Sequence, residues 1–376
     1  MKLNYPVKQA HLMIVIHSLA GGGAERVAVE MCDYWLSQGC RVTLVTQSSA
    51  DTDAYPVPEG VDRRALGLAG DSSGSVVALW ANMRRVAALR RLIVKLKPQV
   101  VLGMMTRGSV LAVLAAQRLP CRVIASEHTH PPVQRLPSIW QKLRRWAYPR
   151  AHAVVALTSG TAAWLEEHVP GSKVTVIPNS VRWPLESSEP VVAPPERAGR
   201  FRLLAVGRLH RLKGFDVLLR AFSQLTEYFP NWDLVILGEG AEREVLQQQI
   251  EELNLAGRVS MPGRVGNLAD WYRESDLYVL SSRAEGLSNT LIEAMASGLP
   301  VVAFDCDTGP REIIRPDIDG VLVRQVEDAD ALAAHLAHLM TRPEEREALA
   351  RRAIDVRDRF CVARVMTLWN QLFGFR

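Results

Sequence analysis

Short apolar runs alternate with longer helix-spaced segments twice along this 376-residue chain, and that repeated alternation limits the possible folds more than any other feature. Leu12–His17, Arg41–Thr46, Val100–Met104, Arg122–Ser126, Ala153–Leu157 and Val174–Ile177 read as strands in the first half. Arg202–Val206, Asp233–Leu237, Val259–Met261, Leu277–Ser281 and Val301–Phe304 do so in the second. Helical spacing fills the gaps, as in Ala24–Ser37, Val76–Leu96, Ser109–Gln117, Phe215–Leu225, Glu242–Leu253 and Ala329–Met340. Strands that alternate with helices form parallel sheets, whose ligands sit at the carboxyl ends of the strands. The Pro- and Glu-rich stretch Trp183–Arg200 separates the two arrays and reads as a linker. The expectation is an α/β chain of two facing Rossmann-like domains with an interdomain cleft, spanning 1–184 and 185–357. A terminal helix in 358–376, with apolar positions Phe360, Val362, Val365, Met366, Trp369, Leu372 and Phe373, fits either domain by periodicity and is placed on the first.

Composition narrows the class. A hydrophobic share of 48% with 23% charged residues is that of a globular protein. Five scattered cysteines without metal-ligand spacing fit a reducing cytoplasm. The apolar run near the start is too short to span a membrane and reads as a core strand rather than a signal peptide. Net charge is only +5, yet from Ser72 to His152 fourteen basic residues face one acidic residue, Glu127. That asymmetry implies an anionic partner for the N-terminal half.

Leu277–Ala303 concentrates the chemistry. Between its two apolar runs Glu285 and Gly286 lie in a polar turn, Ser288 or Asn289 can cap a helix, and Glu293 lies within that helix. A helix N-terminus between two carboxylates suits a phosphate. An earlier loop, Gly207–Gly214, supplies Arg208 and Lys213, and Gly238 opens the loop that follows the next strand. In the first half Gly21, Gly22 and Gly23 follow the first strand, but GGGAER is not the dinucleotide fingerprint. His128 follows another strand end, in Glu127-His-Thr-His-Pro-Pro132. Cations and amides on a diphosphate, with carboxylates on vicinal hydroxyls, describe a nucleotide-sugar site.

The spacing Glu285-x7-Glu293 within EGLSNTLIEAMASGLPVVA, with VGRLHRLKGFDVLLRAF, LVILGEG and VIPNSV, resembles glycosyltransferase family 4 of the retaining GT-B enzymes. The resemblance runs over nearly the whole chain and is strongest to bacterial enzymes of exopolysaccharide, O-antigen and lipid-linked oligosaccharide assembly. It implies that Glu293 binds the nucleotide ribose, that Glu285 contacts the donor sugar, and that Arg208 and Lys213 neutralise the departing diphosphate. It also implies backbone contacts to the donor from Gly21–Gly23, Gly207, Gly238, Gly286, Leu287, Ser288, Asn289, Thr290 and Leu291, and maps the N-terminal histidine to His128. Retention of anomeric configuration comes from the resemblance alone.

The bland alternatives are solvated loop or helix carboxylates for Glu285 and Glu293, surface charges for Arg208 and Lys213, and a packing role for His128. Asp-x-Asp occurs four times, at Asp51, Asp305, Asp317 and Asp328, so it carries no metal-site information. With cations already at the phosphate end, no metal or other cofactor is expected. Arg135, Trp140, Lys142, Arg144 and Arg145 are read as a membrane or acceptor surface, with aromatic and basic residues meeting at lipid headgroups. The partners expected are a nucleotide-sugar donor, a lipid-linked glycan and an anionic membrane, at the inner face of the cytoplasmic membrane, without nucleic acid. The competing readings are a transferase with a soluble acceptor, a GT-B-type epimerase and a non-catalytic sugar-nucleotide-binding subunit.

Overall fold

The computed structural model describes residues 6–68, 75–134 and 136–375. The chain divides into two compact units, Met1–Asn179 together with Val365–Arg376, and Ser180–Arg364. The first contains β1 (His11–Ile16), β2 (Arg41–Thr46), β3 (Asp62–Ala65), β4 (Val100–Met104), β5 (Arg122–Glu127), β6 (Ala153–Ala156) and β7 (Val174–Val176). They form a seven-stranded sheet in the order β3-β2-β1-β4-β5-β6-β7, with every pairing parallel. All of β1 is buried, as an inner strand covered on both faces must be. Leu89 and Ile93, from the helix Ser75–Leu96, and Val110 and Val113, from the helix Met105–Ala115, pack on one core with Met13, Val101 and Val154.

The second unit contains β8 (Phe201–Val206), β9 (Trp232–Leu237), β10 (Val259–Gly263), β11 (Leu277–Leu280), β12 (Val301–Phe304) and β13 (Val321–Val323). Their order is β10-β9-β8-β11-β12-β13, again parallel throughout. Strand order reverses between β1 and β4 in one sheet and between β8 and β11 in the other. Loops leaving such a reversal diverge to opposite faces and leave a crevice between them, which is where open parallel sheets hold ligands.

Three local readings change. The helix after β4 begins at Met105 rather than Ser109. Ser109 lies inside the helix, where its hydroxyl donates to the Gly103 carbonyl at 2.8 Å and accepts from the Ser126 amide at 3.2 Å. Strands β3 and β13 lie at sheet edges, where half-exposed sequences such as Asp-Arg-Arg-Ala lack an apolar signature. The stretch Trp183–Arg200 is not a free tether: it lies along the second unit, with the Pro190 carbonyl accepting from the Gly266 amide at 2.7 Å and the Val192 carbonyl from Trp271 Nε1 at 2.9 Å. Proline keeps its carbonyl while losing its N–H, and here neighbouring donors satisfy those carbonyls. The terminal helix Val362–Phe373 buries Phe373 against Trp35, with ring centroids 5.0 Å apart, and Trp35 Nε1 donates to Asn370 Oδ1 at 2.9 Å.

Candidate functional site

In the second unit the loops leaving β8 and β11, the two strands at the reversal, carry most of the residues singled out from sequence. Lys213 Nζ donates to Glu285 Oε1 at 2.6 Å, and Ser282 Oγ donates to the same oxygen at 2.6 Å. Thr308, from the loop after β12, donates to the Glu285 carbonyl at 2.6 Å. A lysine and a glutamate 72 residues apart are thus held as a charge-assisted pair in a partly buried setting. Arg208 differs: it is exposed and, among the described residues, makes no hydrogen bond or ion pair.

The helix Asn289–Ala296 starts next to this pair. Ser288 holds its N-cap position, yet its side chain caps none of the helix amides. The Ser288 hydroxyl lies 3.3 Å from Thr290 Oγ1 instead. Thr290 in turn accepts from Tyr278 Oη at 2.9 Å and donates to the Val206 carbonyl at 3.4 Å. Burial pushes the Tyr278 hydroxyl far above its ordinary range, so it remains a donor. Thr290, expected as a donor contact, therefore has its hydroxyl committed to the helix start. Glu293 is only 4% exposed, and its Oε2 accepts from Tyr272 Oη at 3.2 Å. Leu287 and Leu291 are buried, whereas Gly286 and Asn289 are partly exposed.

Gly238 owes its identity to the backbone. Its φ is +144°, and a Cβ there would lie 1.9 Å from the Gly207 carbonyl oxygen. The two glycines thus bring the loops after β8 and β9 into direct backbone contact, sealed by Gly207 N–H donating to the Leu237 carbonyl at 2.9 Å.

In the first unit Gly22 is the N-cap of the helix Gly23–Ser37. A Cβ at Gly22 would lie 2.2 Å from Glu25 Oε2, so the chain's own carboxylate folds back over this helix start, beside Gly21 and Gly23. His128 is half-buried beyond β5, its Nε2 3.0 Å from Ser126 Oγ and its Nδ1 buried without a partner among the described residues. Burial pulls its pKa down to about 4, so the ring is neutral at neutral pH.

Beside it lies a network that sequence reading missed. Glu127 is fully buried and accepts from Thr106 Oγ1 at 2.9 Å and from Tyr148 Oη, with Arg144 Nη1 3.7 Å away. Burial pushes the Glu127 carboxyl up; Arg144, and then the Tyr148 and Thr106 hydroxyls, oppose it.

This network corrects the surface assignment. Arg144 is 4% exposed and Trp140 7%, so both point inward from the helix Ser138–Ala147, with Arg144 against Glu127 and Trp140 under the Arg107 guanidinium at 5.5 Å. Lys142 and Arg145 are exposed as expected, together with Ile139 and Trp146. Arg135 lies outside the described residues.

Family comparisons agree with this architecture. The family Glycosyl transferases group 1 matches residues 192–356, and Glycosyltransferase Family 4 matches residues 21–182. The chain is 28% identical over 370 residues to the amylovoran biosynthesis glycosyltransferase AmsD of Erwinia amylovora, covering 96% of this chain and 99% of that one. It is 30% identical to the lipopolysaccharide core biosynthesis mannosyltransferase LpcC of Rhizobium leguminosarum, over 61% of this chain and 67% of that protein. Identity is 26% to the Campylobacter jejuni N-acetylgalactosamine-N,N'-diacetylbacillosaminyl-diphospho-undecaprenol 4-alpha-N-acetylgalactosaminyltransferase, over 91% of this chain and 93% of that one. Other likenesses are partial: at 34% identity the chain spans 45% of an uncharacterized glycosyltransferase of Methanocaldococcus jannaschii. Among solved structures, Anabaena HepE in complex with UDP superposes with a TM-score of 0.79 at 17% identity, over 96% of this chain and 98% of that one. The chain belongs to the group 1, family 4 glycosyltransferases and has their GT-B fold.

Proposed function

We propose that this chain is a retaining glycosyltransferase that moves a hexose or N-acetylhexosamine from a nucleoside diphosphate sugar, with uridine diphosphate favoured, to a lipid-linked glycan during surface polysaccharide assembly. The observation that carries the reading is the Lys213–Glu285 pair beside the start of the helix Asn289–Ala296, with Glu293 buried behind it. Lys213, Arg208 and the helix-start amides would meet the diphosphate, Glu293 the ribose, and Glu285 the sugar hydroxyls. In the transfer step the bond from the acceptor oxygen to the anomeric carbon forms as the bond from that carbon to the β-phosphate oxygen breaks. The acceptor proton passes to the departing phosphate. Stabilising that developing charge is usually the largest catalytic contribution, and two cations at the phosphate end make metal-independent transfer the expected mode. From the resemblance, His128 is assigned as the first unit's candidate site residue, its ring neutral and its Nδ1 without a partner among the described residues.

Relatives named for amylovoran synthesis and for transfer to a diphospho-undecaprenol glycan support the acceptor class, and the UDP complex of HepE supports the donor base. Among the described residues no helix is long and apolar enough to cross a membrane. The proposed location is peripheral, at the inner face of the cytoplasmic membrane, through Lys142, Arg145, Ile139 and Trp146. A thermal-shift panel of uridine and guanosine diphosphate sugars tests the donor reading, since a bound donor stabilises the native state by mass action. The expected result is a shift with UDP sugars that persists with chelator, and loss of transfer by about 100-fold or more in Glu285→Gln and Glu293→Gln, as for other transition-state electrostatic contacts. No shift with any donor would overturn the reading.

A further inference from the structure

We infer that Arg283 is a positioning residue for the Lys213–Glu285 pair, locking the loop after β11 onto the loop after β8; the inference rests on the donor-site reading above. Arg283 lies two positions before Glu285, and its side chain is 15% exposed. Its guanidinium forks onto Asp216, with Nη1 donating to Oδ1 at 2.7 Å and Nη2 to Oδ2 at 2.8 Å. Nη1 also donates to the Arg211 carbonyl at 2.6 Å, and Nε pairs with Glu327. The Arg283 amide donates to the Leu212 carbonyl at 2.8 Å, and Ser281 Oγ donates to the Lys213 carbonyl at 2.9 Å.

These bonds bracket Lys213 on every side. Arg211 and Leu212 immediately precede it, Ser281 holds its own carbonyl, and Asp216 opens the helix Phe215–Ser223 just beyond it. Lys213 can meet Glu285 at 2.6 Å only while the two loops keep this register. A guanidinium is suited to the task because it is planar and presents five donors in a fixed fork. Lysine would bring a point charge that cannot fork onto Asp216 and reach the Arg211 carbonyl in the same plane. Partial burial raises the worth of the fork above that of an exposed ion pair. Arg220, the other cation paired with the Asp216 carboxylate among the described residues, is half exposed and sits 3.8 Å from it. Arg283 thus acts through Lys213 and Glu285 and needs no contact with the donor itself.

The test compares the full chain with Arg283→Ala, Arg283→Lys and Asp216→Asn. The readouts are UDP affinity by calorimetry, UDP release from UDP-sugars, and melting temperature. A misplacement of about 1 Å in a catalytic group can cost about 100-fold in rate, so Arg283→Ala should lose that order of kcat. UDP affinity should fall by less than about fivefold, because interactions realised mainly in the transition state govern kcat. Arg283→Lys should fall between the two, and free guanidinium should restore part of the kcat of Arg283→Ala. Asp216→Asn should show the same loss, with Asp216→Asn/Arg283→Ala no worse than Arg283→Ala alone, as for two halves of one clamp. Unchanged kcat in Arg283→Ala would overturn the positioning role alone. So would a loss matched by a lowered melting temperature and unmoved by guanidinium. Failure of the unsubstituted chain to bind UDP or any tested nucleotide sugar would overturn the donor-site reading and this proposal with it.

Discussion

Glu285 and Glu293 are eight positions apart on one segment, yet their surroundings give them different chemistry. Glu285 stays partly exposed with a lysine and a serine on one oxygen. Glu293 is withdrawn into the protein, where Tyr272 supplies a hydroxyl donor. A buried carboxylate requires such donors, since leaving it unsatisfied costs more than the net worth of a hydrogen bond. His128 shows the opposite adjustment: burial disfavours its charged form and lowers its pKa from 6.5 to about 4. The unfolded chain therefore takes up this proton at a higher pH than the folded one. The associated stability is fully present above the unfolded value and is lost as pH falls from there toward the folded value. Chemical denaturation at about pH 7.5 and about pH 5 should show a stability loss on the order of 1–2 kcal/mol smaller in His128→Gln than in the wild type. An equal loss in both proteins would remove His128 from the pH response.

The helix Ser138–Ala147 illustrates what is readable from one element and what is not. Its sequence supplies aromatic and basic residues in alternation, which specify an amphipathic segment without saying which cations face out. The answer depends on Glu127, seventeen residues before Arg144 in the chain but adjacent to it across the fold. Lys142 and Arg145 are left on the outer face, where each basic residue near an anionic bilayer is worth about 1 kcal/mol. In vesicle flotation, Lys142→Glu/Arg145→Glu should lower binding to anionic lipid by about tenfold or more by that measure, without changing binding to neutral vesicles. Equal flotation would exclude this face as the membrane contact. The edge strand β3 escaped notice for a related reason, since a strand with one open side needs no continuous apolar run. By contrast β2, β4 and β12 have the bounds expected from sequence, because inner parallel strands are buried on both faces and are mostly apolar.

At the scale of the whole chain, the first unit is closed by residues that arrive last. Phe373 is fully buried, its ring tilted against Trp35 and against Trp369, and the Phe373 carbonyl accepts from Arg122 at 3.0 Å. Phe373→Ala should cost about 3–5 kcal/mol, the usual range for removing a buried aromatic ring, measured by urea denaturation of the full chain. A change below about 1 kcal/mol would show that the site collapses around the lost ring without penalty. Periodicity of Val362–Phe373 gave this helix an apolar face but no destination, because a helix records that it must be covered and not by what.

The sequence by itself determined the βα alternation, the two parallel sheets and the loops that carry Lys213, Glu285 and Glu293, since these follow from local periodicity and from the chirality of parallel crossovers. Only the tertiary structure decided that Arg144 and Trp140 turn inward, that Thr290 is occupied by Tyr278, and that Arg283 clamps Asp216. Each of those outcomes is a pairing between residues distant in sequence. Burial makes such pairings strong enough to override what a short segment would do alone.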